Sequence, residues 1–178
     1  MKQVVWVGVV VLAFAASPAF AKGKPRAAGK RTSDQTFVMN AAKGGMAEVE
    51  LGNLAADKGT SDDVKKFGQR MATDHGKAND EIKVLAQQKN ISVPSDIDPK
   101  EKALKDRLMK LSGDAFDRAY MQAMLADHRK DVNEFRMEAN AGKDPEVKAW
   151  AKKTLPTLQD HLKMAQDTTR AVGTSGRK

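Results

Sequence analysis

The stretch DDVKKFGQRMATDHGKANDEIKVLAQQK, residues 62–89, decides the fold. Its apolar positions Val64, Phe67, Met71, Ala78, Ile82 and Leu85 recur every three or four residues, with His75 filling the gap in the stripe. That spacing places them on one face of an α-helix, whereas a strand would alternate. The segment therefore predicts a long amphipathic helix with a histidine on its buried side.

The same pattern continues outward in both directions. Upstream, Gly59-Thr60-Ser61-Asp62 reads as a glycine closing one helix and an N-cap opening the next. The helix before it starts at Ser33 as N-cap and runs to about Lys58, with Phe37, Ala41, Gly44, Glu48, Leu51 and Ala55 along its stripe. So short a turn returns the chain antiparallel. Gly44 and Gly45 each weaken an isolated helix by about 1 kcal/mol, and close helix approach is their expected use.

Downstream, Pro94 and Pro99 interrupt regular helix. A short helix over about Lys100–Leu111 follows, and Ser112-Gly113 punctuates it. A third long helix, about Asp114–Asn140, turns Phe116, Tyr120, Met124, Asp127/His128, Val132, Phe135 and Ala139 inward. Gly142-Lys-Asp-Pro-Glu146 is a strong junction, with aspartate as N-cap and proline at the first helical position. The fourth long helix runs to about Ala171, with Val147, Ala151, Leu155, Leu158, His161 or Leu162, and Ala165 inward. Pro156 removes one backbone bond and is expected to bend it just before His161. No segment alternates convincingly with period two. The fold class is all-α: a four-helix bundle with an extra short helix between the second and third long helices. The middle connection, about 20 residues, allows either a direct antiparallel return or a crossover along the bundle.

Residues 1–21 read as a secretory signal peptide. Lys2 is the positive region, Val4–Ala16 the apolar run, and Ala19-Phe20-Ala21 a small-x-small cleavage site. The run is shorter than the roughly 20 residues a membrane span needs, so cleavage after Ala21 leaves no transmembrane span, and the expected location is the periplasm or outside the cell. Residues 22–33 form a basic arm read as disordered, 34–172 the bundle, and 173–178 a disordered tail. The net charge is +8. It resides entirely in Lys2, Lys22, Lys24, Arg26, Lys30, Arg31, Arg177 and Lys178, so the bundle region carries 23 acidic and 23 basic side chains. A nucleic-acid groove would need cations clustered on the folded domain, and none is expected. The arm is a solubilising segment or a weak contact for anionic envelope surfaces. There is no cysteine, hence no disulfide, thiolate ligand or lipid anchor. Oligomeric state is not legible.

The chain has three histidines, and each follows an aspartate: Asp74-His75, Asp127-His128 and Asp160-His161. With 16 aspartates in 178 residues, chance pairing of all three has odds of roughly one in 1,400. Residues equally far from a tight turn lie at similar heights in the helices it joins. Glu48 and His75 flank the first turn at about 12 and 15 residues, His128 and His161 the last at about 15 and 18, an offset of about 5 Å in each case. All four are expected at mid-bundle. Three imidazoles and a carboxylate suit a transition metal such as copper, zinc or iron. Met71 and Met124 each precede a histidine by one turn, and Met164 follows His161 by three residues. They can share the histidine faces, which would favour copper, or simply fill the core. The aspartates lie about 100° around the helix from their histidines. They are read as second-shell carboxylates that orient imidazoles on neighbouring helices, or as partners of lysine and arginine. The competing reading of the histidine set is a buried hydrogen-bond network without metal, in a structural or interaction module. Tyr120 reads as a core ring. A phosphate loop, a nucleophile elbow and a Glu-x-x-His pair are all missing, so an enzyme is the less favoured reading.

Together, several segments resemble the exported bacterial family named domain of unknown function 4142. They are Phe37 with Glu48-Val-Glu-Leu-Gly52, Val64-Lys-Lys-Phe67 with Met71-x-x-Asp-His75, Leu111-Ser-Gly113 with Phe116-Asp117-x-x-Tyr120, His128, and Leu155-Pro156 with His161. The resemblance covers about Asp34–Ala171 and implies a ferritin-like four-helix bundle, often labelled an outer membrane protein, without an established reaction. Di-iron bundles of that type use Glu-x-x-His pairs. Here Ala72, Leu125 and Leu158 stand three residues before the histidines, so di-iron oxygen chemistry does not carry over. No barrel pattern supports an outer-membrane location, and a soluble periplasmic protein with a role in envelope stress is the expectation.

Overall fold

The structure, a computed structural model, describes residues 33–175. The expected signal peptide, most of the basic arm and residues 176–178 lie outside them. Five helices follow in order: α1 (Ser33–Lys58), α2 (Asp62–Gln88), α3 (Pro99–Met109), α4 (Gly113–Ala141) and α5 (Pro145–Ser175). Among the described residues there is no strand. No helix among the described residues is long and apolar enough to cross a membrane.

The helix ends follow the local chemistry. Ser61 caps α2 by accepting from the Asp63 N–H. Asp144 caps α5 by accepting from the N–H groups of Glu146 and Val147 at 3.0 and 3.2 Å. After α2 the chain turns through Asn90 at φ 54°, and the Ile91 N–H reaches back to the Ala86 carbonyl at 2.8 Å. Asparagine tolerates that left-handed backbone better than most residues. α5 runs as one helix through Pro156. It also continues to Ser175, past the tail boundary expected at 173, because buried Val172 ties the last turn to the core.

The chain forms two antiparallel hairpins, α1–α2 and α4–α5, which are its most extensive pairings. Lesser seams join α2 to α5 and α1 to α4. The middle connection is the crossover of the two expected alternatives. It carries α3 back along the bundle: Lys43 on α1 pairs with Asp98 at the start of α3, and Lys58 at the end of α1 donates to the Met109 carbonyl at its end. α4 therefore starts beside the α1–α2 turn. There the Asp117 carboxylate accepts from the N–H groups of Thr60 and Ser61 at 3.0 and 2.7 Å. At the other end Asp34 of α1 accepts from Lys143 and Asp144 in the α4–α5 turn at 3.0 and 2.5 Å. Each hairpin's turn is held by a buried aspartate from the other hairpin.

The interior comprises two apolar clusters. One contains Phe37, Val38, Ile82, Phe135, Trp150 and Leu158. The other contains Leu51, Phe67, Met71, Phe116, Tyr120 and Met124. In the first half of α1 the structure buries Val38, Ala42 and Gly45, one residue on from the expected Ala41 and Gly44. Gly44 faces open space, so it is not where helices approach closely. Gly45 beside it is buried against the Asn79 side chain of α2, as expected, and the backbone-to-backbone approach is made by Gly52 and Gly68. A Cβ on Gly52 would lie 2.7 Å from the Gly68 carbonyl oxygen, and a Cβ on Gly68 would lie 2.5 Å from that of Gly52.

Candidate metal centre

Between the two apolar clusters each long helix contributes one polar side chain: Glu48 from α1, His75 from α2, His128 from α4 and His161 from α5. The structure brings together the four residues expected at one height, and all four are buried. Of positions 161 and 162, His161 is fully buried in this layer, while Leu162 is half-buried against the first apolar cluster. The imidazole centroids are 5.2–5.8 Å apart, and one nitrogen of each ring lies within 4.8 Å of one nitrogen of each other ring.

One nitrogen of each ring is engaged. His128 Nδ1 lies 2.9 Å from the Met124 carbonyl oxygen, which can only accept, so Nδ1 carries the proton. His161 Nε2 lies 2.9 Å from Asp74 Oδ2. Burial pushes the Asp74 carboxyl up, but the hydrogen bonds from Arg70 and His161 prevail and hold it below its ordinary value, so it is an ionised acceptor. His75 Nδ1 lies 2.9 Å from Glu48 Oε2 and donates when that carboxylate is ionised. These tautomers leave lone pairs on His75 Nε2, His128 Nε2 and His161 Nδ1. The same three atoms are buried without a hydrogen-bond partner. Glu48 Oε1 is 3.3 Å from His128 Nε2, yet the two are not aligned as a hydrogen bond, and both lack a partner. Unpartnered buried polar atoms are costly.

Burial sets the charge states. It pushes the pKa values of His75 and His161 down to about 4 and lowers that of His128, favouring neutral rings. It pushes Glu48 up to about 7, partly offset by His128. Three neutral imidazoles packed together in one buried layer, each with one nitrogen free and its other N–H on a carboxylate or carbonyl, match what metal-bound histidines require. An ion centred in a triangle with 4.8 Å edges would sit about 2.8 Å from each nitrogen. Inward side-chain movement of under 1 Å would reach ordinary zinc–nitrogen distances of about 2.0–2.1 Å.

The supporting residues divide. Asp74 bonds a histidine on a neighbouring helix, α5. Asp160 does not: it is exposed, because α5 buries His161 and turns the preceding residue outward. Asp127 bonds no histidine and gathers instead with Glu48 and Asp131. Met71 and Met124 pack in the second apolar cluster, with Met164 against it. Asp131, which no sequence motif singles out, is one turn beyond Asp127, and burial with the charge of Glu48 pushes its pKa well up. The i, i+4 spacing of the two aspartates was the available signal.

The sequence family described as "Domain of unknown function (DUF4142)" matches residues 19–168. No curated protein matches the sequence. Among solved structures, a DUF305 fragment from Deinococcus radiodurans superimposes with a TM-score of 0.68 at 13% identity, covering 81% of this chain and 97% of that one. CopM in its Cu(I)-bound form gives 0.64 at 18% identity, covering 80% and 98%. The Cu(II)-bound form gives 0.65 at 17%, covering 80% and 99%. At these identities the likeness is one of fold.

Proposed function

We infer that this chain, which belongs to the DUF4142 family, binds a transition metal at His75, His128 and His161, with copper the favoured ion. The observation that carries this reading is the set of three buried imidazoles, one nitrogen of each within 4.8 Å of one nitrogen of each of the others, with a ring nitrogen on every one left without a hydrogen-bond partner. Imidazole suits copper, zinc and iron alike. The CopM structures bound to Cu(I), Cu(II) and silver support copper by analogy of fold. Glu48 is the fourth candidate ligand: its carboxylate lies between His75 and His128 and can balance the charge of an incoming cation. Asp74 orients His161 and fixes its proton on Nε2. The role is binding or buffering of the metal, in a chain exported by its leader to the periplasm, with envelope stress as the setting. The basic arm over residues 22–33 is proposed as a tether to anionic envelope surfaces.

The test is metal analysis of protein purified without an affinity tag, combined with thermal unfolding. One equivalent of copper per chain is expected, with a rise in Tm corresponding to about 4 kcal/mol at a thousandfold excess over Kd. His161→Ala should abolish both. If no metal copurifies, and added copper, zinc or iron leaves Tm unchanged, the reading fails. In that case the Glu48–His75 and Asp74–His161 contacts would be a metal-free network of a structural module, and His75→Ala would lower stability without changing metal content.

A further inference from the structure

Glu48 belongs to a second cluster. One carboxylate oxygen from each of Glu48, Asp127 and Asp131 lies within 4.8 Å of the others. Asp127 and Asp131 are one helical turn apart on α4, and Glu48 meets them across the α1–α4 seam. Three carboxylates this close repel one another unless protons or a cation intervene. An acidic cluster on a surface would mean little, but two further observations mark this one. Glu48 is 1% exposed; its Oε2 is held 2.9 Å from His75 Nδ1, while its Oε1, 3.3 Å from His128 Nε2, has no hydrogen-bond partner. Among the described residues the Asp127 carboxylate has neither ion pair nor hydrogen bond, although this α4 segment is rich in cations. Lys130 pairs instead with Asp131 and Glu134, its ammonium 3.8 Å and 3.6 Å from them; its side chain is 61% exposed and can swing away. A cleft of about 180 Å³ that opens to solvent is lined by His75, Asp127 and Asp131, together with Lys43 and Lys130, and gives an ion a route inward.

We propose that Glu48, Asp127 and Asp131 form a second cation site, for an oxygen-preferring divalent ion, joined to the histidine centre through the Glu48 carboxylate. The donor types separate the two sites. Three imidazoles select borderline transition metals, whereas three carboxylates suit hard cations of the magnesium, calcium and manganese class. An ion centred among the oxygens would stand about 2.8 Å from each, close to the roughly 2.3–2.6 Å of calcium–oxygen bonds. The proposal goes beyond the histidine site and does not require that site to be filled.

The experiment titrates the mature chain with Mn²⁺ and follows the loss of the free-ion electron paramagnetic resonance signal. One bound Mn²⁺ per chain is expected, and the double variant Asp127→Asn/Asp131→Asn should weaken it at least tenfold. Both changes remove like charge, and circular dichroism would check that the bundle persists. In the wild-type protein Mn²⁺ should also broaden the amide signals of residues 127–131 before those elsewhere, which locates the ion without any variant. His161→Ala, which removes a nitrogen donor whose partner is Asp74, should retain Mn²⁺ while losing copper. An absence of Mn²⁺ binding, unchanged affinity in the double variant, or broadening centred elsewhere would overturn the proposal. Copper binding without Mn²⁺ binding leaves the histidine reading intact, and the reverse result sinks that reading alone.

Discussion

Gly68→Ala should loosen the bundle at the point where α1 and α2 set the spacing of the polar layer. The new Cβ would lie 2.5 Å from the Gly52 carbonyl oxygen and 2.8 Å from the Ala56 nitrogen, and both are backbone atoms that no rotamer change can move. Ordinary contact begins near 3.4 Å. The two helices must therefore separate by about 0.6–0.9 Å locally, a strain of about 1–3 kcal/mol. The same opening stretches the Glu48–His75 contact from 2.9 Å toward the limit of a hydrogen bond, and loss of that buried bond costs about 1–3 kcal/mol more. Alanine's better helix propensity returns about 1 kcal/mol. The net expectation is about 1–5 kcal/mol of destabilisation, centred near 3 kcal/mol, or about 6–12 °C in Tm for a domain of this size. Gly44→Ala is the control: nothing lies within 4 Å of its added Cβ, so propensity alone should act and raise stability by up to about 1 kcal/mol. Urea unfolding of the metal-free protein reads both. If Gly68→Ala is as stable as the wild type, or Gly44→Ala loses as much, the close-approach reasoning is wrong.

Two further expectations concern the polar layer. Acid should destabilise the metal-free bundle. The unfolded chain protonates His75 and His161 near pH 6.5, while the folded chain, where burial holds them neutral, waits until about pH 4. Stability is thus complete above pH 6.5 and declines between 6.5 and 4, by about 3 kcal/mol per histidine at most. Glu48, pushed up by burial to about 7, acts oppositely: between pH 7 and 4.5 the folded chain binds its proton first, which offsets part of the loss. Glu48→Gln should remove this offset and steepen the decline. A urea midpoint that stays level or rises from pH 6.5 to 4 would contradict this account. Asp74→Asn should weaken copper binding by about 10- to 100-fold, because the charged acceptor that fixes the His161 tautomer is lost. Competition against a copper chelator measures it, and an unchanged affinity would remove Asp74 from the site.

The helices were legible because each depends on its own stripe and caps, as Ser61 and Asp144 illustrate. The meeting of Glu48, His75, His128 and His161 was legible for a related reason: short turns fix heights in paired helices, and the offsets could be counted along the chain. Features that depend on which helix faces which were harder to read. The crossover, with α3 laid along the bundle, was one of two routes that a connection of that length permits. Gly44 and Gly52 look alike in sequence, and only the opposing backbone of α2 distinguishes an open position from a contact. The three Asp-His pairs likewise look equivalent. They diverge because Asp74 meets α5, Asp127 meets the Glu48 side of α1, and Asp160 meets solvent.

That divergence explains how a symmetrical pattern yields an asymmetric centre. Glu48 binds His75 within the first hairpin, while His128 is held by a carbonyl of its own helix. Asp74–His161, the unaligned Glu48–His128 approach and the ring contacts of His75 with His128 and His161 link one hairpin to the other within this layer. The layer can therefore form only when the hairpins dock in register. Neither apolar cluster enforces that register at the level of single atoms, since side chains of similar volume can repack. The aspartates at the two ends can, because Asp34 and Asp117 each satisfy two N–H groups that would otherwise be left without partners at a turn. A slide of either hairpin by one turn, about 5.4 Å, would break all four bonds at once. The three imidazoles thus meet in one layer through constraints imposed from both ends of the bundle, and the layer itself need supply little of the energy that positions them.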